Sequence, residues 1–140
     1  MINQEFKSIL DLINAFPDEE TCIRHLEELR WDGNIISPFD STSKVYNCSN
    51  NKYRCKNTSK YFNVKTATLF NKTKVKLQKW FIAIWLVTSH KKTISSIQLS
   101  RDIHVTQKTA WLMLQRIRSC FGMENDLDNT VEAYKTPIVE

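Results

Sequence analysis

The sequence has little glycine, no closely spaced cysteine pair and no long apolar run. Its only glycines are Gly33 and Gly122, so it holds no glycine-rich loop of the kind that surrounds a phosphate group. No Cys-x-x-Cys, His-Glu-x-x-His or Gly-x-Ser-x-Gly pattern occurs in its 140 residues. These absences exclude the common motifs of P-loop nucleotidases, zinc proteases and serine hydrolases.

The longest apolar run covers residues 80–87 and is far shorter than the roughly 20 residues of a membrane span. The first residues, Met-Ile-Asn-Gln-Glu, lack the basic and apolar parts of a secretory signal. We therefore expect an intracellular chain with no membrane partner, in which Cys22, Cys48, Cys55 and Cys120 stay reduced.

Acidic residues are nearly missing from the middle of the chain. Residues 41–121 contain sixteen Lys and Arg and a single acid, Asp102, for a net charge of +15. Residues 1–40 carry −6 and residues 122–140 carry −4, so the overall +5 conceals a strongly basic block between two acidic ends. Such asymmetry favours a polyanionic partner, most often nucleic acid, although a solvated lysine-rich surface has the same composition.

Hydrophobic spacing predicts an α+β fold that is mostly α. Residues 2–16 read as an amphipathic helix, Pro17 ends it, and Asp18 is placed to cap a second helix that stops near Gly33. We divide the chain into N-terminal helices (1–33), a small β-unit (34–75), a three-helix unit (76–121) and an acidic tail (122–140).

Residues 34–66 alternate short β-prone pieces with Ser, Thr, Asn, Asp and Pro clusters, which is typical of a small antiparallel unit. Strands are predicted at 34–36, 45–47, 52–55 and 61–64. The unit has few apolar residues, so we expect it to be stabilised by packing against the neighbouring helices. Its expected core residues are Ile36, Val45, Tyr53, Phe62 and Val64.

Residues 95–118 have the spacing of a helix-turn-helix. A short helix with Ile94, Ile97 and Leu99 facing inward is followed by a tight connection, and Thr106 then caps a last helix that runs to about Phe121. The last helix has an apolar stripe and an opposite polar face. The stripe comprises Ala110, Met113, Leu114, Ile117 and Phe121, and the polar face comprises Lys108, Trp111, Gln115 and Arg118.

The start of the last helix is the part that a recognition helix places in the major groove, where Gln can read adenine and Lys can reach guanine or phosphate. A protein-binding three-helix bundle has the same pattern, and Trp111 suits either a sugar or a protein partner. The predicted DNA-binding residues are Thr106, Gln107, Lys108, Trp111, Gln115, Arg116, Arg118, Lys91 and Lys92. The candidate phosphate contacts are Lys52, Arg54, Lys56, Lys60, Lys72, Lys74 and Lys76.

Several runs resemble the N-terminal part of insertion-sequence transposases and the similar Merlin-type elements. Thr66-Ala67-Thr68-Leu69-Phe70 is similar to the family's Thr-Gly-Thr-x-Phe. The further matching runs are 16–22, 29–31, 53–55, 60–64, 79–81, 95–99, 105–111 and 115–118. The resemblance implies a zinc ribbon followed by a homeodomain-like helix-turn-helix and then a metal-dependent strand-transfer domain.

The departures from this family concern its metal sites. The family's first cysteine pair falls on Ser37 and Asp40, and its second pair falls on Cys55 and Thr58, so one thiolate of four remains. Structural zinc needs four good ligands. We therefore predict a degenerate ribbon with no metal and no cofactor.

The family's first catalytic aspartate aligns weakly with Tyr134, and two-metal phosphoryl transfer needs several carboxylates. We therefore expect no enzymatic activity. The leading hypothesis is a non-catalytic, transposase-derived protein that binds duplex DNA, and that is nuclear if the source is eukaryotic. The alternative is an adaptor subunit of a DNA-processing complex, whose acidic N-terminal helices and acidic tail contact partner proteins.

Overall fold

A computed structural model describes residues 6–89 and 93–122. The predicted acidic tail beyond Gly122 and the candidate DNA contacts Lys91 and Lys92 lie outside these residues. The described chain is α+β and mostly helical, as predicted. Its elements are α1 (Ile9–Ala15), α2 (Glu19–Arg30), β1 (Val45–Asn47), β2 (Tyr53–Cys55), β3 (Tyr61–Phe62), α3 (Leu77–Ser89), α4 (Ser96–Ile103) and α5 (Gln107–Phe121).

The helices begin at side-chain caps that the sequence supplies. Asp18 accepts a 2.8 Å hydrogen bond from the Thr21 backbone N–H at the start of α2, as predicted. Residues 2–5 of the predicted first helix lie outside the described residues. Within them, α1 begins at Ile9, because Ser8 caps it by accepting from the Asp11 N–H at 3.2 Å.

Helix α3 lies at the centre and contacts α1, α2, α4 and α5. Seven of its thirteen residues are buried, which explains its continuous apolar sequence. The N-terminal helices are bonded to its first turn, since a Glu19 carboxylate oxygen accepts the Leu77 N–H at 2.8 Å. The Gln78 side chain in turn donates to the Phe16 carbonyl at 2.8 Å.

The three strands form an antiparallel sheet in the order β1-β2-β3. One face is buried, with Tyr53 and Phe62 packed edge-on against Trp31 at ring-centroid distances of 5.5 and 6.0 Å. The predicted strand at 34–36 is wrong, because these residues pair with no strand in the described chain, and Ile36 is exposed rather than in the core.

Helices α4 and α5 are joined by residues 104–106, with His104 in the left-handed region at φ 56°. Leu99 is fully buried as predicted, but the inward prediction for Ile97 is wrong, since 47% of its surface is exposed. The buried residues of all these elements form one hydrophobic cluster. Within the described ranges, no helix combines the length and apolar character needed to cross a bilayer.

Candidate nucleic-acid interface

The start of α5 is fixed by its own cap and by a bond to α4. The Thr106 hydroxyl accepts the Thr109 N–H at 3.1 Å, and the Gln107 amide donates to the Ser96 hydroxyl at 3.4 Å. The turn before it is held by α3, because Lys79 Nζ donates to the His104 carbonyl at 3.1 Å. The beginning of α5 therefore has a defined position relative to the core.

One side of α5 is buried and the other faces solvent. Four residues of its predicted apolar stripe are buried, at positions 110, 113, 114 and 117. Lys108, Trp111 and Gln115 are exposed, with 54% of the Trp111 surface accessible. This solvent-facing side presents a cation, an indole and an amide about one helical turn apart. Side chains of these kinds bind phosphates and the edges of bases.

The prediction that Arg116 is a DNA-binding residue is corrected by its burial. Only 8% of its surface is exposed, and its guanidinium donates to the carbonyls of Leu69 (3.1 Å) and Asn71 (2.8 Å). Arg116 therefore attaches the loop that follows the sheet to α5. Helical spacing alone could not predict these two hydrogen bonds, because their acceptors lie 45 and 47 residues away in the chain.

Arg118 is also engaged within the protein. Its guanidinium donates to the Ile94 carbonyl at 2.8 Å, and burial lowers its pKa from the ordinary value. The side chain is half-buried, so it joins the end of α5 to the segment before α4. A phosphate contact by Arg118 would have to share or replace that bond.

The loop that Arg116 holds brings two of the predicted phosphate contacts beside α5. Lys72 and Lys74 line a groove of about 170 Å³ together with Thr109 and Leu112 of α5. Both lysines are exposed. Two cations of the loop thus share one groove with Thr109 and Leu112 of α5, which the sequence did not predict.

The remaining predicted phosphate contacts lie on or around the sheet. Arg54 is half-buried and donates to the Ser59 hydroxyl at 3.3 Å. The exposed lysines of this group are Lys52, Lys56, Lys60 and Lys76. In the described residues none of these side chains is paired with a carboxylate, so their charge is available to a polyanion.

The positions that match the family's metal ligands do come together, but as a hydrogen-bonded cluster. Ser37 is buried, and its hydroxyl accepts the N–H groups of Phe39 and Asp40 at 3.0 and 3.3 Å. Burial raises the pKa of the Cys55 thiol, but hydrogen bonds with Ser37, Ser43 and Thr58 outweigh this and lower it to about 6.

This donor set does not fit a zinc ion. Both Asp40 carboxylate oxygens already accept hydrogen bonds, from Thr42 at 2.7 Å and from Asn57 at 2.9 Å. The other positions supply one sulfur and two hydroxyls, whereas structural zinc takes thiolates and imidazoles. Across residues 6–89 and 93–122 no group of three His, Cys, Asp or Glu side chains is placed to hold a metal.

The chain is 29% identical over 125 residues to an uncharacterized protein in transposable element ISH50 of Halobacterium salinarum. The match covers 86% of this chain and 42% of that relative, so the chain spans less than half of the relative's length. The similarity links the chain to a transposable element. It is consistent with a relation to transposases, in line with the sequence resemblance. No family model and no solved structure matches the chain.

Proposed function

We propose that this chain is a transposase-related protein that binds duplex DNA through α5 and the adjoining basic loop. The proposal rests on two observations. Lys108, Trp111 and Gln115 of α5 are exposed, and Lys72 and Lys74 line a groove together with residues of the same helix. Helices α4 and α5, joined by three residues, have the spacing of a helix-turn-helix whose second helix enters the major groove.

Charge supports the same proposal. The single acid between residues 41 and 121, Asp102, accepts a 2.8 Å hydrogen bond from Gln98 on α4. The basic residues of this block therefore meet almost no opposing charge from their own segment. We propose for this part of the protein a binding role without catalysis and DNA association inside the cell. The transposable-element relative is compatible with DNA association.

The test is the salt dependence of duplex binding by the full chain, measured as fluorescence anisotropy of a labelled blunt duplex. If about six phosphates are contacted, log affinity should fall against log salt with a slope of roughly −5. The double variant Lys74→Ala/Lys108→Ala should bind more weakly, with a slope less negative by about 2.

The matched control is Lys7→Ala/Arg24→Ala, which removes two exposed cations from the acidic N-terminal part of the chain. Its slope should equal that of the parent protein. Binding that is insensitive to salt, or equal losses in both double variants, would contradict the proposed interface. A supercoiled plasmid incubated with the protein and Mg²⁺ or Mn²⁺ should remain uncut.

A second candidate function is that of an adaptor in a DNA-processing complex, favoured by exposed apolar residues among acids on the N-terminal helices. Leu10 is 68% exposed and Leu29 is 54% exposed, and Glu20 and Glu28 are exposed nearby in sequence. Affinity purification from the native cells should then recover a defined partner that a Leu10→Asp/Leu29→Asp variant loses. Recovery of the protein alone would eliminate this candidate.

A further inference from the structure

The solvent-facing side of the sheet carries a row of two tyrosines with an arginine between them. Tyr46 of β1 is directly opposite Arg54 of β2, and Arg54 is directly opposite Tyr61 of β3. Opposed residues of neighbouring strands project from the same face. The row therefore crosses the whole sheet on the face away from Trp31.

The rings of this row are accessible although aromatic residues elsewhere in the sheet are buried. Tyr61 is 60% exposed and Tyr46 is 40% exposed, whereas Tyr53 and Phe62 on the opposite face are 6% and 3% exposed. Two lysines already lie over exposed rings nearby. Lys52 Nζ is 5.8 Å from the Tyr61 centroid, and Lys60 Nζ is 5.1 Å from the Phe39 centroid.

A cleft of about 490 Å³ opens beside Tyr61, with Phe39 on its rim. Asn63 and Asn71 also line it. Their carbonyl oxygens are used within the loop, since Asn63 Oδ1 accepts the Lys65 N–H at 2.9 Å and Asn71 Oδ1 accepts the Ala67 N–H at 3.4 Å. Their NH₂ groups remain as donors for the edge of a ligand that stacks on the ring.

This cleft adjoins the groove beside α5, since Lys72 and Thr73 line both of them. The exposed Lys72 side chain therefore lies between the cleft and the groove. A strand that leaves a duplex on α5 would meet a cation first and exposed rings next. Aromatic faces alternating with cations are how proteins bind unpaired nucleotides without reading their sequence.

We propose that the Tyr46–Arg54–Tyr61 row and the adjoining cleft bind the unpaired nucleotides of a DNA strand. Bases stack on Tyr61 and Tyr46, while Arg54, Lys52 and Lys72 meet the phosphates. The continuity with a bound duplex rests on the proposed function of α5. Stacking of bases on the sheet does not depend on the proposed function of α5, and single-strand binding tests it separately.

The experiment uses the full chain and two probes, a single-stranded oligonucleotide containing 2-aminopurine and a blunt duplex. Stacking should change the 2-aminopurine emission when the single strand binds. Tyr61→Ala should weaken single-strand affinity by roughly fivefold or more, which is the low end for loss of a stacking ring, and should leave duplex affinity unchanged. Tyr61→Phe keeps the ring and should retain both the affinity and the emission change.

Lys108→Ala provides the reciprocal control, since it should weaken duplex binding and spare the single strand. Tyr46→Ala is a second, independent variant at the other edge of the row and should also lower single-strand affinity. Unchanged single-strand binding in both alanine variants, or equal losses for single strand and duplex, would overturn the proposal. A parent protein that binds the single strand but no duplex would refute the proposed function of α5 and leave this inference standing.

Discussion

Helix α3 and the three-stranded sheet are stabilised in different ways. Leu77 and Phe81 of α3 are fully buried, and α3 contacts the other four helices. The sheet has three strands of two or three residues. It relies on Trp31, the residue that follows α2, and on the polar cluster around Cys55. The buried face of a helix follows from the periodicity of its apolar residues, whereas the polar cluster needs particular side chains at particular distances.

The largest expected effect is the loss of an aromatic ring from the helical core. Phe81→Ala should lower the free energy of unfolding by about 3–5 kcal/mol, because Phe81 is fully buried and packs edge-on against Phe16 at 4.9 Å. Urea denaturation followed by far-ultraviolet circular dichroism measures it. Phe62→Ala in the sheet should spare the helical signal at concentrations of urea that unfold Phe81→Ala. Equal loss of helix in both would remove the contrast between the two regions.

Two arginines test how strongly the helices stabilise the β-unit, because each donates to two of its backbone carbonyls. Arg116→Met should cost about 3 kcal/mol, since its bonds to Leu69 and Asn71 are formed by a buried guanidinium. Arg30→Met should cost about 1.5 kcal/mol, because its 2.8 Å bond to the Val64 carbonyl is only half-buried. Urea midpoints rank the two, and a larger loss for Arg30→Met would contradict this ranking.

Sequence patterns predicted the helical region well and the polar contacts poorly. Periodicity and caps predicted the buried stripe of α5 and the start of α2 at Asp18, because both depend on residues within a few positions in the chain. Arg116 was assigned to DNA because helical spacing cannot show that its acceptors are carbonyls in a distant loop. The solvent-facing tyrosine row was missed for the same reason, since strand register is fixed only by pairing.

Cys55 makes the stability of the polar cluster depend on pH. Its pKa is lowered to about 6, below the ordinary 9.0, so the folded state binds fewer protons than the unfolded state between these values. Stability should therefore rise as pH increases from 6 to 9 and be lost as pH falls through 6. Urea midpoints across this range measure the slope.

Cys55→Ser should flatten this slope, because a serine hydroxyl does not ionise in the range. Cys22→Ser is the matched control below about pH 8, since burial raises the Cys22 pKa to about 12 and the thiol is neutral there in both the folded and the unfolded chain. A slope that persists in Cys55→Ser, or vanishes in Cys22→Ser, would refute the assignment.

The smallest expected effect concerns Ala67, which stands where the similar transposases have glycine. Its φ of 64° is left-handed, a conformation that costs an L-residue roughly 1–2 kcal/mol. Ala67→Gly should therefore raise the free energy of unfolding by about 0.5–1 kcal/mol after the added entropy of the unfolded chain. Ala15→Gly, in helical backbone at the end of α1, should change it in the opposite direction. Thermal melts of the pair measure the difference, and a shared sign would contradict the strain at Ala67.

The bond from the Glu19 carboxylate to the Leu77 N–H also determines how the chain can be divided. A fragment that starts after residue 33 loses this acceptor from the first turn of α3, and it also exposes the Phe81 face that Phe16 covers. The two bonded residues are 58 positions apart, so the contact forms only after a long loop has closed. Limited proteolysis that cuts the chain between α2 and α3 should accordingly leave the N-terminal helices associated with α3. A truncated protein made for study should contain both parts.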